Sequence, residues 1–170
     1  MLWPHAVEVV RLVNGKYLGR NIRLRKAREE LREVRYLNEQ EFKQMLAQIE
    51  DETIRMIHIV AFATGMRIGE VFAIRPSDIH NGVLNVTSQI DRERTRRITK
   101  NRKPRKTLIL SQWIKDVKSW AAVPLPTKLQ YRNLSFSKIT KTASRKAFPR
   151  DSLKHCVFHD LRNVGIGRVL

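Results

Sequence analysis

With 170 residues, the chain is long enough for one well-buried domain and too short for two full ones. Hydrophobic residues make up 42% and charged residues 29% of it, which is typical of a globular protein and not of a disordered one. The 34 Lys and Arg outnumber the 16 Asp and Glu, so the formal charge is +18. Such an excess favours a polyanionic partner, nucleic acid before an acidic membrane surface. A basic ribosomal-type protein fits the charge equally well, so the charge alone assigns no activity.

Other classes are disfavoured by residues that the sequence lacks. Cys156 is the single cysteine, which excludes an internal disulfide and suits a reducing cytoplasm. His155 and His159 lie beside it, but a zinc site needs about four ligands and the chain has no CxxC motif, so we predict no metal. The first residues do not resemble a secretory signal, and the longest apolar run, residues 57–63, is too short to span a membrane.

Residues 1–36 differ in composition from the rest of the chain. Residues 7–13 are apolar enough for a short helix or strand, and residues 20–35 are dense in Arg and Lys with interleaved Glu. We interpret residues 1–36 as an exposed basic arm or linker. A solvated charged helix with i, i+4 ion pairs is an equally good interpretation of the same pattern.

A folded domain is predicted to start at residue 37. Asn38 has the properties of an N-cap, Glu41 those of its capping-box partner, and Leu37 can pack against Phe42 as a hydrophobic staple. The apolar spacing that follows predicts a helix through Ile49.

Two more helices are predicted before the pattern changes. One covers residues 53–64 and ends at Gly65, which suits a left-handed cap. A short one covers residues 68–73 and stops before Pro76, because the residue preceding a proline disfavours helix.

Strands are predicted next. Asn81-Gly82 is a tight-turn dipeptide, and residues 83–88 alternate as a strand does. Residues 97–99 and 106–110 are predicted to form a hairpin across the basic turn at residues 101–104.

The remainder is predicted to be helical. Ser111 is expected to cap a helix with Trp113 and Trp120 on its buried face, and residues 124–126 are expected to form a loop. A basic helix is predicted at residues 135–148, and a last one begins near Phe158. The chain is therefore predicted to be mainly helical α+β with a small antiparallel sheet.

Three motifs occur in a fixed order. They are Thr64-Gly65-x-Arg67-x-Gly69-Glu70 before Pro76-Ser77-Asp78-Ile79, Thr99-Lys100-Asn101 before Arg105 and Leu110, and Phe158-His159-Asp160-Leu161-Arg162. Together they resemble the tyrosine recombinases, the phage-integrase family, over residues 37–170. The resemblance implies the catalytic-domain fold of DNA breaking-rejoining enzymes and cofactor-free transesterification through a 3′-phosphotyrosyl bond.

The resemblance also implies roles for individual residues. Arg67 and Arg162 would stabilise the extra charge of a pentavalent phosphorane, for which guanidiniums are well suited. Lys100 would protonate the leaving 5′-oxygen, although Lys103 remains an alternative. His159 would hydrogen-bond a non-bridging oxygen or accept the nucleophile's proton. Glu70 would support Arg67.

The basic residues of the predicted hairpin are candidates for phosphate contacts to double-stranded DNA. They are Arg96, Arg97, Arg102, Lys103, Arg105 and Lys106. Further recombinase protomers on the DNA are possible partners. The implied location is the cytoplasm of a bacterial or phage-infected cell, associated with the nucleoid.

No residue is assigned as the nucleophile. Tyr17, Tyr36 and Tyr131 all precede Arg162, whereas the family places its tyrosine after the second arginine motif. We therefore expect a partial catalytic domain, lacking its nucleophile and inactive alone. The alternative is a non-catalytic DNA-binding module that occupies sites without cleavage, and a basic RNA-binding structural protein is a third possibility.

Overall fold

A computed structural model of the chain describes residues 37–99 and 104–162. Every described residue belongs to one compact unit. The predicted basic arm at residues 1–36 lies outside the described residues. The described residues form helices and two small antiparallel sheets, so the α+β class is confirmed.

Within these ranges the helices and strands are short. The helices are α1 (Glu39–Leu46), α2 (Glu52–Thr64), α3 (Ile68–Ala73), α4 (Ile114–Ala122), α5 (Leu125–Gln130) and α6 (Phe136–Ala147). The strands are β1 (Ile79–His80), β2 (Val83–Val86), β3 (Ser88–Ile90), β4 (Arg96–Ile98) and β5 (Arg105–Leu108). None of the helices in the described part of the chain is both long enough and apolar enough to cross a membrane.

The predicted start of the domain is confirmed. The Asn38 side chain accepts a hydrogen bond from the Glu41 N–H at 2.9 Å, and the Glu41 carboxylate accepts one from the Asn38 N–H at 2.8 Å. Leu37 and Phe42 are both buried, and the Phe42 ring stacks on Phe62 of α2 with centroids 3.8 Å apart. This capping box therefore fixes α1 against the core.

The two predicted helices before the sheet are also confirmed. Gly65 ends α2 with φ 65°, the left-handed region that glycine enters without steric cost, and its N–H donates to Ala61 O at 2.9 Å. The chain then turns directly into α3, which ends at Ala73, three residues before Pro76. The segment 65–67 between α2 and α3 thus forms a tight corner.

The strand pairing differs from the predicted hairpin. β2 pairs antiparallel with β1 on one side and β5 on the other, and β3 pairs with β4 in a separate sheet. The predicted turn at Asn81-Gly82 is confirmed, with φ 50° and 76°. The prediction that residues 97–99 pair with residues 106–110 is wrong for the described strands, because β4 instead pairs with β3 across residues 91–95.

That unpredicted turn is held by a side chain. The Thr95 N–H donates to the Asp91 carboxylate at 2.8 Å, and Arg94 takes φ 62°. An aspartate that bonds the backbone in this way can replace the usual glycine or proline signal. The turn has neither residue, and the sequence therefore gave no indication of it.

Two further predictions are wrong. Ser111 does not cap α4, because residues 111–113 form a 3₁₀ turn and α4 begins at Ile114 with no side-chain cap. The segment 124–126, predicted to be a loop, includes the first turn of α5. Pro126 is compatible with that position, since N–H groups in the first turn of a helix have no helical partner.

The C-terminal end of α3 is fixed by two cations. Arg96 of β4 donates to Ala73 O at 2.9 Å, and the buried ammonium of Lys128 donates to Ile74 O at 2.9 Å. Basic side chains stabilise the carbonyl end of a helix. They hold α3 in place, and its other end presents Arg67.

Candidate functional site

Arg67 lies at the corner between α2 and α3. It is the N-cap residue of α3, with φ −72° and ψ 152°, and it follows the buried Met66. The buried neighbour and the left-handed Gly65 direct the Arg67 side chain outward, and 39% of that side chain is exposed. The residue is therefore fixed at its backbone and accessible at its guanidinium.

Glu70 is completely buried one turn into α3. Its carboxylate accepts a hydrogen bond from the Arg67 N–H at 2.8 Å, and Arg67 Nη1 lies 3.3 Å from its other oxygen. Burial alone would raise the pKa of Glu70, but hydrogen bonds from Arg105 and Arg67 outweigh it and hold the pKa below its ordinary value. Glu70 is therefore an anion in contact with both the backbone and the guanidinium of Arg67.

Arg105 forms the strongest contact with Glu70. Arg105 Nη1 and Nη2 donate to the two carboxylate oxygens of Glu70 at 2.8 and 2.7 Å, a bidentate ion pair. The hydrogen bonds to Glu70 raise the pKa of Arg105. β5 places Arg105 opposite Val86 of β2, so the sheet register fixes its position. Arg105 was predicted only as a phosphate contact, and no sequence pattern indicates its pairing with Glu70.

Arg162 reaches the same corner from the far end of the described chain. Its Nε donates to Gly65 O at 3.0 Å, across 97 positions of sequence. Burial lowers the pKa of Arg162, and the positive charges of Arg67 and Arg105 lower it further. The two arginine motifs therefore come together in the fold.

We call Arg67, Arg105 and Arg162 around Glu70 the arginine cluster. It holds three guanidiniums and one carboxylate, so two positive charges are uncompensated within it. Like charges in a part-buried place are unfavourable unless an anion joins them. The cluster can therefore bind an anion with several hydrogen-bond acceptors, such as a phosphodiester.

The other predicted catalytic residues are only partly described. His159 is exposed in the 3₁₀ turn Phe158–Asp160, three residues before Arg162. Phe158 is buried with its ring 5.1 Å from the His58 ring, which anchors the turn. Lys100, Arg102 and Lys103 lie outside the described residues, and the roles predicted for them stay predictions.

The remaining predicted phosphate contacts differ in their surroundings. Arg96 donates to Ser88 Oγ at 2.7 Å as well as to Ala73 O, so its guanidinium is used within the fold. Arg97 pairs with Asp91 and, at 2.7 Å, with Glu93. Lys106 is exposed on β5. That these three residues contact DNA stays a prediction.

The residues considered for metal show ordinary packing. Cys156 is buried, and His155 Nε2 lies 2.8 Å from Phe148 O. Across residues 37–99 and 104–162, no three His, Cys, Asp or Glu side chains are grouped as metal ligands are.

Gly69 has a packing role inside the first motif. A Cβ at Gly69 would lie 2.7 Å from the Ile90 backbone oxygen, closer than real Cβ atoms come. That oxygen cannot move away easily, because Arg132 Nε and Nη2 donate to it at 3.2 and 3.1 Å. Glycine at this position therefore lets α3 lie directly against β3.

We expect Gly69→Ala to lower the free energy of unfolding by about 1–2 kcal/mol. Overpacking costs about 1–3 kcal/mol, and the better helix propensity of alanine offsets up to about 1 kcal/mol of it. Urea denaturation measures the change. Alanine is stabilising at an ordinary exposed helix position, so a stabilised Gly69→Ala variant would contradict the close approach of α3 to β3.

No protein-family model matches this chain, and a search of the curated proteins found no match. What the site does must therefore be inferred from its own residues.

Proposed function

We propose that the arginine cluster binds a phosphate of duplex DNA, and that the protein contributes the phosphate-activating part of a tyrosine-recombinase catalytic site. One observation supports this above the others. Two arginines from motifs far apart in sequence meet at Gly65, with an uncompensated positive charge that an anion would relieve. The formal charge of +18 favours a polyanion as the source of that anion.

The geometry suits catalysis at phosphorus. Arg162 uses Nε for Gly65 O, and within residues 37–99 and 104–162 its Nη groups make no hydrogen bond and can therefore reach a ligand. Arg67 has one long contact to Glu70. A phosphorane carries more charge on its equatorial oxygens than the ground state does. Guanidiniums that are held before the reaction therefore stabilise the transition state more than the substrate.

In this proposal Lys100 protonates the leaving 5′-oxygen and His159 bonds a non-bridging oxygen. The exposure of His159, in the turn three residues before Arg162, supports that role. The attacking hydroxyl is not assigned to a residue of this chain. Tyr131 is the C-cap of α5 and receives no role.

The first test is the salt dependence of binding to a labelled duplex of mixed sequence, measured by fluorescence anisotropy. With about 6–10 phosphate contacts, affinity should fall about 10³- to 10⁵-fold between about 50 and 200 mM salt. Arg67→Gln should lower affinity about 10- to 150-fold, since it removes a charged hydrogen bond worth about 1.5–3 kcal/mol, and should reduce the salt slope by about 1.

Arg55→Gln is the matched control. It removes the same charge near the start of α2, ten residues or about 15 Å along the helix axis from Gly65. It should change affinity less than twofold. Equal losses in both variants would mean that the arginine cluster is not the binding site, and salt-independent binding would contradict a DNA partner.

A second assay distinguishes catalysis from DNA binding without cleavage. Its substrate is thymidine 3′-(4-nitrophenyl) phosphate. Water attacks the phosphorus and the bond to nitrophenolate breaks, and this leaving group needs no acid to protonate it. A site that activates phosphate should release nitrophenolate faster than buffer, and Arg67→Gln and Arg162→Gln should abolish the excess rate. DNA binding without any such release would favour the non-catalytic DNA-binding module.

A further inference from the structure

Glu70 is shared unequally between two arginines. Arg105 donates twice, at 2.8 and 2.7 Å, whereas the Arg67 guanidinium makes one contact at 3.3 Å. The short, parallel pair is the stronger interaction, because bidentate geometry aligns both N–H groups with the carboxylate. Most of the negative charge of Glu70 is therefore neutralised from β5 and not from Arg67.

We propose that Arg105 is a positioning residue, which occupies Glu70 so that the Arg67 guanidinium stays available to a phosphodiester. This inference rests on the proposed function for the identity of the ligand. It changes the role predicted for Arg105 from a direct phosphate contact to one that acts through Glu70 and Arg67.

The electrostatic argument follows from burial. Glu70 is 0% exposed, so a carboxylate there requires a cationic partner. If Arg105 were neutral, the nearest guanidinium would be that of Arg67, already in contact with Glu70. Arg67 would then turn inward to close the pair and would lose donors and charge at the surface.

The backbone supports the same arrangement. Thr107 Oγ1 of β5 donates to Thr64 O at 3.0 Å, and the Leu110 N–H donates to Ala63 O at 3.2 Å. Both acceptors belong to the last turn of α2, next to the Gly65 carbonyl that Arg162 uses. β5 is therefore fixed to the corner that presents Arg67, and Arg105 reaches Glu70 without a flexible segment between them.

The test is a titration with inorganic phosphate, followed by the side-chain N–H signals of Arg67 and Arg162 in NMR spectra of the full chain. Arg105→Gln should weaken phosphate binding about tenfold or more. Glu70→Gln/Arg105→Gln should restore affinity to within about threefold of the wild type, because a neutral amide no longer draws Arg67 inward. In the Arg105→Gln background, adding Arg67→Gln should cost less than twofold.

A direct contact predicts the opposite pattern. The Glu70→Gln/Arg105→Gln variant would stay as weak as Arg105→Gln, and the losses from Arg67→Gln and Arg105→Gln would multiply. Either result overturns the inference. Arg75→Gln is the matched charge control: it removes one positive charge at an exposed position just past the far end of α3 and should change affinity less than twofold.

The variants must be folded for these comparisons, and urea denaturation establishes that. If Arg105→Gln does not fold, Arg105→Lys serves instead, because it keeps the charge and loses the bidentate geometry. The side-chain N–H signals of Arg67 in Arg105→Lys, recorded without phosphate, should shift from their wild-type positions because the guanidinium moves toward Glu70. Unchanged signals would overturn the inference. If the duplex binds weakly while the phosphate affinities of the variants follow the expected pattern, the proposed function is rejected and the inference is kept. If the duplex binds as expected while that pattern is absent, the inference is rejected and the proposed function is kept.

Discussion

Glu70→Ala is expected to lower the free energy of unfolding by about 3–5 kcal/mol, the usual effect of breaking a buried ion pair. The substitution would leave Arg105 without its bidentate partner and the Arg67 N–H without its acceptor. It would also leave the three positive charges of the arginine cluster with no anion between them. Urea denaturation at neutral pH and low salt measures the change.

Glu41→Ala provides a matched control for Glu70→Ala. Glu41 is also the third residue of its helix and also closes a capping box, but its carboxylate is near the surface and pairs with Lys154. Its removal should cost about 1 kcal/mol, the typical value for a helix cap. Similar losses from the two variants would show that Glu70 acts only as a cap.

Acidification should destabilise the protein through His58. Burial lowers the pKa of His58 to about 4 from an ordinary value of 6.5. Between these pH values the unfolded chain binds more protons than the folded one, so stability falls as the pH drops from about 6.5 to 4. The shift predicts a loss of about 2–3 kcal/mol between neutral pH and pH of about 4.5.

Burial keeps the His58 ring neutral, against the hydrogen bond to Ile54 O, which by itself raises the pKa. His58 Nδ1 donates to Ile54 O at 2.8 Å, and Nε2 lies 2.9 Å from Thr140 Oγ1. His58→Gln removes the titration and should flatten the stability profile over this pH range. His80→Gln, at an exposed histidine, should leave the profile as it is. A wild-type profile in the His58 variant would contradict the assignment.

Local signals predicted much of the fold. The capping box at Asn38, the left-handed Gly65 and the Asn81-Gly82 turn each depend on a few adjacent residues, and a sequence displays such residues directly. The predicted basic helix at residues 135–148 matches α6 within a residue at each end. These features need no knowledge of distant parts of the chain.

Strand pairing was harder to predict, because it depends on which segments meet. β4 has a basic sequence with no strand signal of its own, and the turn held by Asp91 pairs it with β3. The start of α5 was hidden by its prolines, which are typical of loops as well as of a first helical turn. Both errors arise where one local pattern is compatible with two structures.

The sequence indicated candidate residues for the site but not the contacts between them. The motifs identified Arg67 and Arg162 from residue type and order alone. The bidentate pairing of Arg105 with Glu70 joins positions 35 apart, and nothing in the spacing distinguishes Arg105 from its basic neighbours. The reason for glycine at position 69 also appears only when α3 packs on β3.

The hydrogen bond from Arg162 to Gly65 implies an order of assembly. During synthesis the helices α1 to α3 and the Arg105–Glu70 pair can form while Arg162 is still inside the ribosome, since that pair closes a loop of only 35 residues and the other closes one of 97. The affinity of this corner for an anion should therefore rise in two steps. The larger increase should come only when Arg162 binds Gly65 O. A nascent chain would stay only weakly attracted to nucleic acid at this corner until Arg162 had left the ribosome and bound Gly65 O.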